Sequence, residues 1–576
     1  MFKILTTAIP VADGVEHVVS WMTKAWAGFF SAVQWGGKGA MDAITRFLVF
    51  LPPVLVILGL AVAAYFVANR KKGLPIFVLI GLLFVYNQGL WEDMMNTVTL
   101  VFMAALLSVV IGIPLGILMA KKDRAQVVIQ PILDFMQTMP AFVYLIPAVA
   151  FFGIGMVPGV FASIIFALPP TVRFTNLGIR EIPRELIEAS DAFGSTSSQK
   201  LFKIELPLAR NTIMAGINQT IMLALSMVVT ASMIGAPGLG RGVLSALQRA
   251  QVGNGFVSGM ALVVLAIIID RFTQKLAVAD TRRKAAAKAA QTNPKRRRVI
   301  SGVVAALVMI GVVAAARIGS GSQQEIKLAY VQWDSEVAST HVIAEVLKDQ
   351  GYKVTLIPLD NAVMWESVAR GESDAMVSAW LPNTHRAQYK QYRKELVNLG
   401  ANLTGAKLGL VVPDYMRVDS IADLSTEAGQ TVTGIEAGSG VVTAAEKTVK
   451  TYPNLKGWKV TTTSSGTMAT ALGKAIDQHQ PIIVTGWSPH WMFQKYHLKY
   501  LKDPRGTMGK AEHVSTMARK GLKSDMPKAY RILNHFHWTT DDISSVMLDI
   551  QNGMDPEKAA RKWVKAHPDQ VARWTR

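Results

Sequence analysis

About eight apolar segments long enough to cross a membrane occupy residues 47–318 of this 576-residue chain, and they constrain its fold more than any other feature. A helix needs about 18 to 25 mostly apolar residues to span the hydrocarbon core of a bilayer. The predicted spans lie near 47–68, 74–91, 96–120, 130–152, 157–177, 212–235, 255–274 and 299–318. Residues 324–576 instead have the composition of a water-soluble domain, so the sequence predicts a polytopic α-helical membrane domain followed by a domain outside the bilayer.

Basic loops give the orientation of these spans. Clusters of Lys and Arg at 70–72, 121–124 and 282–298 follow the first, third and seventh spans. Because basic loops remain in the cytoplasm, the amino terminus and everything after the eighth span are predicted to be extracellular, in a multi-pass protein of the plasma membrane. The net charge of +20 is therefore attributed to cytoplasmic flanks and to contact with membrane lipid, including anionic lipid, and not to nucleic acid.

The chain contains no cysteine. Disulfides, thiolate metal sites, cysteine nucleophiles and a lipid-modified cysteine anchor are therefore excluded. The sequence also lacks a G-x-x-x-x-G-K-[ST] phosphate loop, so neither an ATP site nor a cofactor is predicted in this chain. Without a lipid anchor, the last span is predicted to tether the extracellular part to the membrane.

These features divide the chain into regions with different roles. The predicted regions are an amino-terminal amphipathic region (1–46), a transmembrane domain (47–280), a basic segment with the last tethering span (281–323) and an extracellular domain (324–576). In the first region, apolar residues such as Trp21 recur at helical spacing. This pattern is compatible both with an interfacial helix on the outer leaflet and with packing against the transmembrane helices.

A polar loop at 178–210 is too hydrophilic to cross the bilayer and falls on the cytoplasmic side. Its pattern predicts a helix from Pro183 to Ala192, a break at Gly194, a second short helix from Thr196 to Lys203 and a stop at Pro207. Two short helices that project from a membrane domain form a surface that a cytoplasmic partner can bind.

This loop resembles the EAA loop of ABC-importer permeases. The matching residues are Glu188, Ala189, Gly194, Ile204, Leu206 and Pro207. The resemblance implies that the loop is a coupling helix that docks on a separate ABC ATPase subunit, in which ATP and Mg are bound. Because two ATPase subunits need two such loops and the chain has one, it also implies a homodimer of this chain with two copies of the ATPase.

The extracellular region alternates short apolar runs with helical patterns, in two sets joined near 409–413. This alternation predicts α/β units around a largely parallel sheet. Two similar lobes with a cleft between them form the architecture of a solute-binding protein. In sheets of this kind, ligands bind in the crevice beyond the carboxyl ends of the strands.

Three tryptophans are predicted to lie at such crevice positions. Trp333, Trp380 and Trp487 each follow an apolar run that reads as a strand. A tryptophan face attracts a cation by about 0.5–2 kcal/mol, and a trimethylammonium group has no donor with which to bind a carboxylate. The three residues therefore predict an aromatic cage for a quaternary ammonium group, with core packing as the alternative for each of them.

A zwitterion would also need an anion site. The segment from Gly438 to Val441 lies between a strand pattern and a helix pattern, so its backbone N–H groups are predicted to bind a carboxylate. His385 and His490 each lie near a cage tryptophan in the sequence. Either histidine is a candidate donor to that carboxylate, and the sequence leaves the choice open.

Nearly all of residues 325–576 resembles the glycine betaine binding proteins of bacterial osmoprotectant importers. The resemblance rests on the stretches YVQWDSEVAST, SAWLPNTH, GIEAGSGV and IVTGWSPHW. It implies a tryptophan prism, two backbone amides and one histidine around the solute. The corresponding residues are Trp333, Trp380 and Trp487 for the prism, Gly440 and Val441 for the amides, and His385 or His490 for the histidine.

The whole chain therefore resembles the fused permease and substrate-binding subunit of a glycine betaine ABC importer. This implies a transport subunit for osmoprotection and not an enzyme. The alternative within the class is uptake of another quaternary ammonium solute, namely proline betaine, carnitine or choline. A receptor that signals without transport is disfavoured because no signalling domain is present, and an extracellular enzyme is disfavoured because no paired carboxylates or nucleophile–base arrangement stands out.

Overall fold

The computed structural model describes residues 11–68, 70–248, 251–287 and 324–576. The chain divides into two compact units: one comprises Met1–Val243 and Phe256–Ser320, and the other comprises Leu244–Gly255 and Gly321–Arg576. The predicted tethering span at 299–318 lies outside the described residues, as do the basic residues from 288 to 298. The predicted domain boundaries stay predictions.

The described part of the chain before residue 288 is helical. Its helices are α1 (Val11–Ala25), α2 (Ala27–Phe50), α3 (Pro53–Val67), α4 (Gly73–Asn87), α5 (Trp91–Lys121), α6 (Asp123–Thr138), α7 (Leu145–Phe152), α8 (Met156–Arg180), α9 (Arg184–Ala192), α10 (Ser197–Lys200), α11 (Leu206–Ser232), α12 (Leu239–Gln248) and α13 (Val252–Ala287).

Four of the described helical segments are long and apolar enough to cross a membrane, and they agree with four predicted spans. They are Trp91–Lys121, Met156–Arg180, Ser197–Ser232 and Val252–Gln274. The helix α4 is apolar but has 15 residues, a rise of about 22 Å, which is shorter than the hydrocarbon core.

Two further predicted spans, 47–68 and 130–152, are not single straight helices. The first falls on α2 and α3, which are bent by 90°, and the second falls on a pair of helices bent by 106°. A proline lies at each break, Pro52 in the first pair and Pro140 in the second. Because proline disfavours helical conformation in the residue before it, a continuous apolar run at these places still changes direction.

Close helix packing in the first unit depends on small residues. A β-carbon at Gly112 of α5 would meet the side chain of Thr171 of α8 at 2.8 Å. A β-carbon at Gly116 would meet the side chain of Thr175 at 2.5 Å. Without a hydrophobic force between helices in lipid, such close backbone approach is a main source of helix association. The α5–α8 pair is therefore held by van der Waals contact between small residues.

The polar loop at 178–210 folds into two short helices, as predicted. The helix α9 ends near Gly194, which has φ +75°, and α10 begins at a capping box formed by Thr196 and Gln199. The predicted stop at Pro207 is wrong. A π-helical turn, Leu201–Glu205, leads directly into α11, and Pro207 lies in the first turn of that helix, where a backbone N–H is not needed.

The second unit is a mixed α/β domain. Its strands are β1 (Glu325–Tyr330), β2 (Lys353–Pro358), β3 (Ala375–Leu381), β4 (Leu396–Pro413), β5 (Thr431–Gly434), β6 (Lys459–Thr462), β7 (Val484–Ser488), β8 (Leu498–Tyr500) and β9 (Glu512–Arg519). Its helices are α14 (Asp334–Asp349), α15 (Asn361–Ala369), α16 (Arg386–Tyr392), α17 (Gly440–Thr451), α18 (Ser465–Asp477), α19 (Met492–Lys495), α20 (Leu522–Asp525), α21 (Pro527–His535), α22 (Thr540–Gln551), α23 (Pro556–Ala566) and α24 (Pro568–Thr575).

The strands form two lobes that share one long strand. The strand order is β2-β1-β3-β9-β4-β7-β5-β6, with β8 paired to β4. From Leu396 to Ala406, β4 pairs with β9 in the first lobe, and from Lys407 onward it pairs with β7 and then β8 in the second lobe. The predicted crossing near 409–413 therefore lies a few residues too late.

The sheet is mixed and not largely parallel as predicted. The pairs β1–β2, β1–β3, β5–β6 and β5–β7 are parallel, whereas β3–β9, β4–β9 and β4–β7 are antiparallel. The antiparallel pairs arise because β4 and β9 connect the lobes and run against the strands of the α/β units. The parallel strands place their carboxyl ends at the cleft, as the sequence indicated.

Candidate functional site

A cavity lies in the cleft between the two lobes of the second unit. Both lobes line it, with Trp333, Ser335, Trp380 and Thr384 from the first and Leu408, Ile435, Ser439, Gly440, Val441 and Trp487 from the second. All three predicted cage tryptophans and both predicted amide residues thus face one space.

Local structure positions the three tryptophans. Trp333 is the residue before α14, three positions after the end of β1, while Trp380 lies in β3 and Trp487 in β7. The exposed fractions of these three residues are 8%, 4% and 4%, respectively. The rings therefore enclose the cavity and leave little of their surface to solvent.

Three hydroxyl groups of the cavity were not predicted. Ser335, Thr384 and Ser439 line it, and their hydroxyl oxygens are buried and make no hydrogen bond to any described residue. A buried hydroxyl without a partner is costly. The cavity is therefore polar as well as aromatic, and it is suited to a ligand that can accept hydrogen bonds.

The predicted anion site has the expected backbone geometry. Gly438 adopts φ +83°, Ser439 precedes α17, and that helix begins at Gly440. The first N–H groups of a helix have no partner within it, and they carry the positive end of the helix dipole. The amides of Gly440 and Val441 thus lie at the cavity wall and are suited to an anionic group.

His385 is fully buried behind the cage. Its Nδ1 accepts a hydrogen bond from the backbone N–H of Trp380 at 3.1 Å, and its ring stacks on Trp333 with 6.1 Å between ring centroids. Burial lowers the pKa of His385 to about 3, so the ring is neutral at physiological pH. Since Nδ1 accepts, Nε2 carries the proton, and this nitrogen has no partner among the described residues.

His490 has a different environment. The backbone N–H of Met492 donates to its Nδ1 at 3.1 Å, and its Nε2 lies 3.2 Å from Oδ2 of Asp334. The ring packs edge-on against Trp487 at 4.5 Å. Its Nδ1 is therefore engaged, and its Nε2 faces a carboxylate without hydrogen-bond geometry, while the ring supports Trp487.

Ser335 and Trp380 also line a second cavity. Glu336 lies in its wall, 1% exposed, and its Oε2 accepts a hydrogen bond from the backbone N–H of Val331 at 2.8 Å. Burial raises the pKa of the Glu336 carboxyl to about 8. This group is therefore mostly protonated at neutral pH.

The loop residues of the first unit form a separate candidate site. Glu188, Ala189, Gly194 and Pro207 are exposed, and Ile204 and Leu206 are partly exposed. The ring of Phe193 is 91% exposed next to them. An ion pair of 2.6 Å between Lys200 and Asp191 ties α10 to α9, so the two short helices form one surface.

Asp134 of α6 pairs with Arg173 of α8 at 2.5 Å. Among the described residues, no group of three or more His, Cys, Asp or Glu is arranged to hold a metal ion.

Two protein families match this chain by sequence. Residues 324–566 match the substrate binding domain of ABC-type glycine betaine transport systems, and residues 112–277 match the binding-protein-dependent transport system inner membrane component. The second range contains the loop with α9 and α10. Both families were indicated by the motifs of the sequence.

Curated relatives agree with these families. The chain is 55% identical over 268 residues to the glycine betaine/carnitine transport permease protein GbuB of Listeria monocytogenes, an alignment that covers 46% of this chain and 95% of that protein. It is 49% identical over 270 residues to the glycine betaine transport system permease protein OpuAB of Bacillus subtilis, covering 47% of this chain and 95% of that protein. Among solved structures, lactococcal OpuAC in a closed complex with glycine betaine is 55% identical and covers 44% of this chain and 100% of that protein, with a TM-score of 0.44.

Proposed function

We propose that this chain captures glycine betaine in the cleft cavity and imports it for osmoprotection. The proposal builds on its family: the chain belongs to the glycine betaine transport permeases of ABC importers and carries a substrate-binding domain of the same system. Hydrolysis of ATP takes place in a separate ATPase subunit. The chain itself carries out no covalent chemistry.

The composition of the cavity is the observation that supports this proposal. Trp333, Trp380 and Trp487 present aromatic faces, which attract a permanently charged trimethylammonium group that cannot form hydrogen bonds. The amides at Gly440 and Val441 are suited to a carboxylate. One small cavity that offers both kinds of group is suited to a zwitterion with a quaternary nitrogen.

The proposal includes a role for His385 in place of His490. The Nε2–H of His385 is a buried donor without a partner in the described structure, and a substrate carboxylate would supply one. His490 already faces Asp334. We assign His385 to the carboxylate and His490 to the support of Trp487.

The proposal extends to the assembly and its orientation. The surface formed by α9 and α10 would dock on the ATPase, and two copies of this chain would engage two ATPase subunits. The loop would face the cytoplasm and the second unit the outside, where it can meet the solute. The exposed apolar ring of Phe193 supports a docking role, since such a ring gains most by burial against a partner.

Equilibrium binding to the full chain in lipid nanodiscs tests the choice of solute. Glycine betaine, proline betaine, carnitine and choline would be titrated under the same conditions. We expect glycine betaine to bind more tightly than choline by at least about tenfold, because choline has no carboxylate to accept from the amides and from His385. Equal or tighter binding of choline would contradict the proposal, and tighter binding of carnitine would identify the alternative substrate.

Two variants separate the histidines. His385→Ala should weaken glycine betaine binding more than choline binding, because the lost contacts with Trp333 and Trp380 affect both solutes, whereas the lost Nε2–H donor affects only a solute with a carboxylate. His490→Asn should affect both solutes alike, since it acts through Trp487. The opposite result would reassign the two residues.

A further inference from the structure

A single carboxylate connects a cage ring to the opposite lobe. Glu436 follows β5 in the second lobe, and its Oε2 accepts a hydrogen bond from the indole Nε1–H of Trp333 in the first lobe at 3.1 Å. Its Oε1 accepts from the backbone N–H of Ser465, at the start of α18, at 3.1 Å. Both oxygens of Glu436 are thus engaged, and the position of Trp333 depends on them.

A second connection runs beside the first. Asp334, the neighbour of Trp333, has Oδ2 3.2 Å from Nε2 of His490 and 3.4 Å from the hydroxyl of Ser465. His490 in turn supports Trp487. Each of the two interlobe connections therefore ends on a cage ring, so the cage is complete only when the lobes are closed.

These contacts concentrate negative charge at the cleft. Burial, together with the charge of Asp334, raises the pKa of the Glu436 carboxyl. Burial, together with the charge of Glu436, raises the pKa of the Asp360 carboxyl to about 6. Like charges that approach in a partly desolvated site destabilise the closed state unless a cation lies nearby. A cationic head group in the adjoining cavity would provide that compensation.

We infer that Glu436 is a specificity-determining residue, which holds Trp333 in the cage and makes the closed cleft selective for a cation. The inference rests on the proposed function and extends it to a residue outside the cavity lining. A carboxylate on the indole N–H adds negative potential to the ring, which strengthens its attraction for a positive charge. Trp333 therefore takes part both in the closure of the lobes and in the binding of the cation.

A double-mutant cycle tests whether Glu436 acts through Trp333. Glu436→Gln keeps a hydrogen-bond acceptor but removes the charge, and Trp333→Phe keeps an aromatic face but removes the N–H donor. Affinity for glycine betaine would be measured for the full chain in nanodiscs, with Glu446→Gln, an exposed glutamate on α17, as the control. We expect each single variant to lose about tenfold and the double variant to lose much less than their product. Losses that multiply would overturn the inference.

An isostere without the positive charge separates cation selectivity from simple closure of the cleft. In 3,3-dimethylbutanoate a carbon replaces the quaternary nitrogen of glycine betaine, so the shape is retained and the positive charge is removed. Glu436→Gln should weaken glycine betaine by about tenfold and change the isostere by less than about twofold. An equal loss for both ligands would show that Glu436 only holds the lobes together. Failure of the unmodified chain to bind glycine betaine would instead refute the proposed function.

Discussion

Gly440 of the second lobe approaches Thr384 of the first lobe so closely that a β-carbon at position 440 would overlap the methyl group of Thr384. The backbone N–H of Thr384 is fixed by the carboxylate of Glu512, at 3.1 Å and 3.3 Å from its two oxygens. Thr384 therefore has little freedom to move away. The absence of a side chain at 440 is what lets the helix start of α17 reach the cavity.

The variant Gly440→Ala is expected to lower glycine betaine affinity by at least about tenfold, because the lobes cannot close fully around the solute. Adding Thr384→Ser removes the overlapping methyl group and should restore part of the loss. Gly28→Ala, where a β-carbon meets nothing within 4 Å, is the control. Calorimetric titration of the three variants measures the effect, and an unchanged affinity in Gly440→Ala would mean that the closed cleft is not the binding state.

The cage tryptophans should each contribute to affinity. Trp380→Ala or Trp487→Ala is expected to weaken glycine betaine binding by at least tenfold, about 1.4 kcal/mol, because a cation loses an aromatic face. Replacement by Phe should cost less, since a face remains. Trp574→Phe serves as the control, because this ring packs on Phe536, with 5.0 Å between the ring centroids, and does not line the cavity. Unchanged affinity in both alanine variants would exclude the aromatic cage.

Coupling to the ATPase should depend on the break between α9 and α10. Gly194 has φ +75°, so Gly194→Val would strain the turn and displace the two helices relative to each other. We expect solute-stimulated ATP hydrolysis by the assembled complex to be lost while solute binding is retained. Gly553→Val strains a comparable turn between α22 and α23, with φ +94°, and should leave coupling intact. Retained coupling in Gly194→Val would refute the docking role.

The natural absence of cysteine permits a direct test of orientation. Ser198 in α10 and Ser524 in α20 are both exposed, so each can be replaced by a single Cys. In intact cells, a membrane-impermeant maleimide should label Ser524→Cys, whereas Ser198→Cys should react only after permeabilisation. Reversed labelling would invert the predicted topology.

Asp360 should make the stability of the protein depend on pH. Its pKa of about 6 in the folded state exceeds the usual value near 3.9, so the folded protein holds a proton that the unfolded chain releases. The free energy of unfolding therefore falls as the pH rises between these two pKa values, and the loss is complete above pH 6. Asp360→Asn should raise stability by about 1–2 kcal/mol at pH 7.5, and the gain should vanish as pH falls towards 4.

Thermal unfolding followed by tryptophan fluorescence measures this gain at each pH. Asp414→Asn, which alters an exposed carboxyl group, is the control. A gain in stability of Asp360→Asn that does not change with pH would contradict the raised pKa of Asp360 as its cause.

The sequence predicted those parts of the fold that depend on local patterns. The strand ends at Trp333, Trp380 and Trp487 could be located because apolar runs followed by helix-capping residues reflect short-range preferences. The break at Gly194 was predicted for the same reason. In each case, the relevant signal lies within a few residues.

Other features depend on contacts between distant segments, and the sequence did not reveal them. The strand β4 contains Gly400 and Gly405, both with positive φ, and these residues resemble turn signals although the strand continues through three irregular positions. The role of Glu436 arises from lobe closure, which brings it to a residue 103 positions away. Pro207 resembled a helix stop because the preceding π turn has no recognisable sequence pattern.

The strand order of the first lobe also has a consequence for biosynthesis. The strand β9 lies between β3 and β4, at the centre of the first lobe, although it follows the entire second lobe in the chain. A nascent polypeptide therefore cannot finish its first lobe until the ribosome has translated past Arg519. Any product truncated within the second lobe would carry an incomplete receptor, and solute capture would begin only after nearly the whole polypeptide has been made.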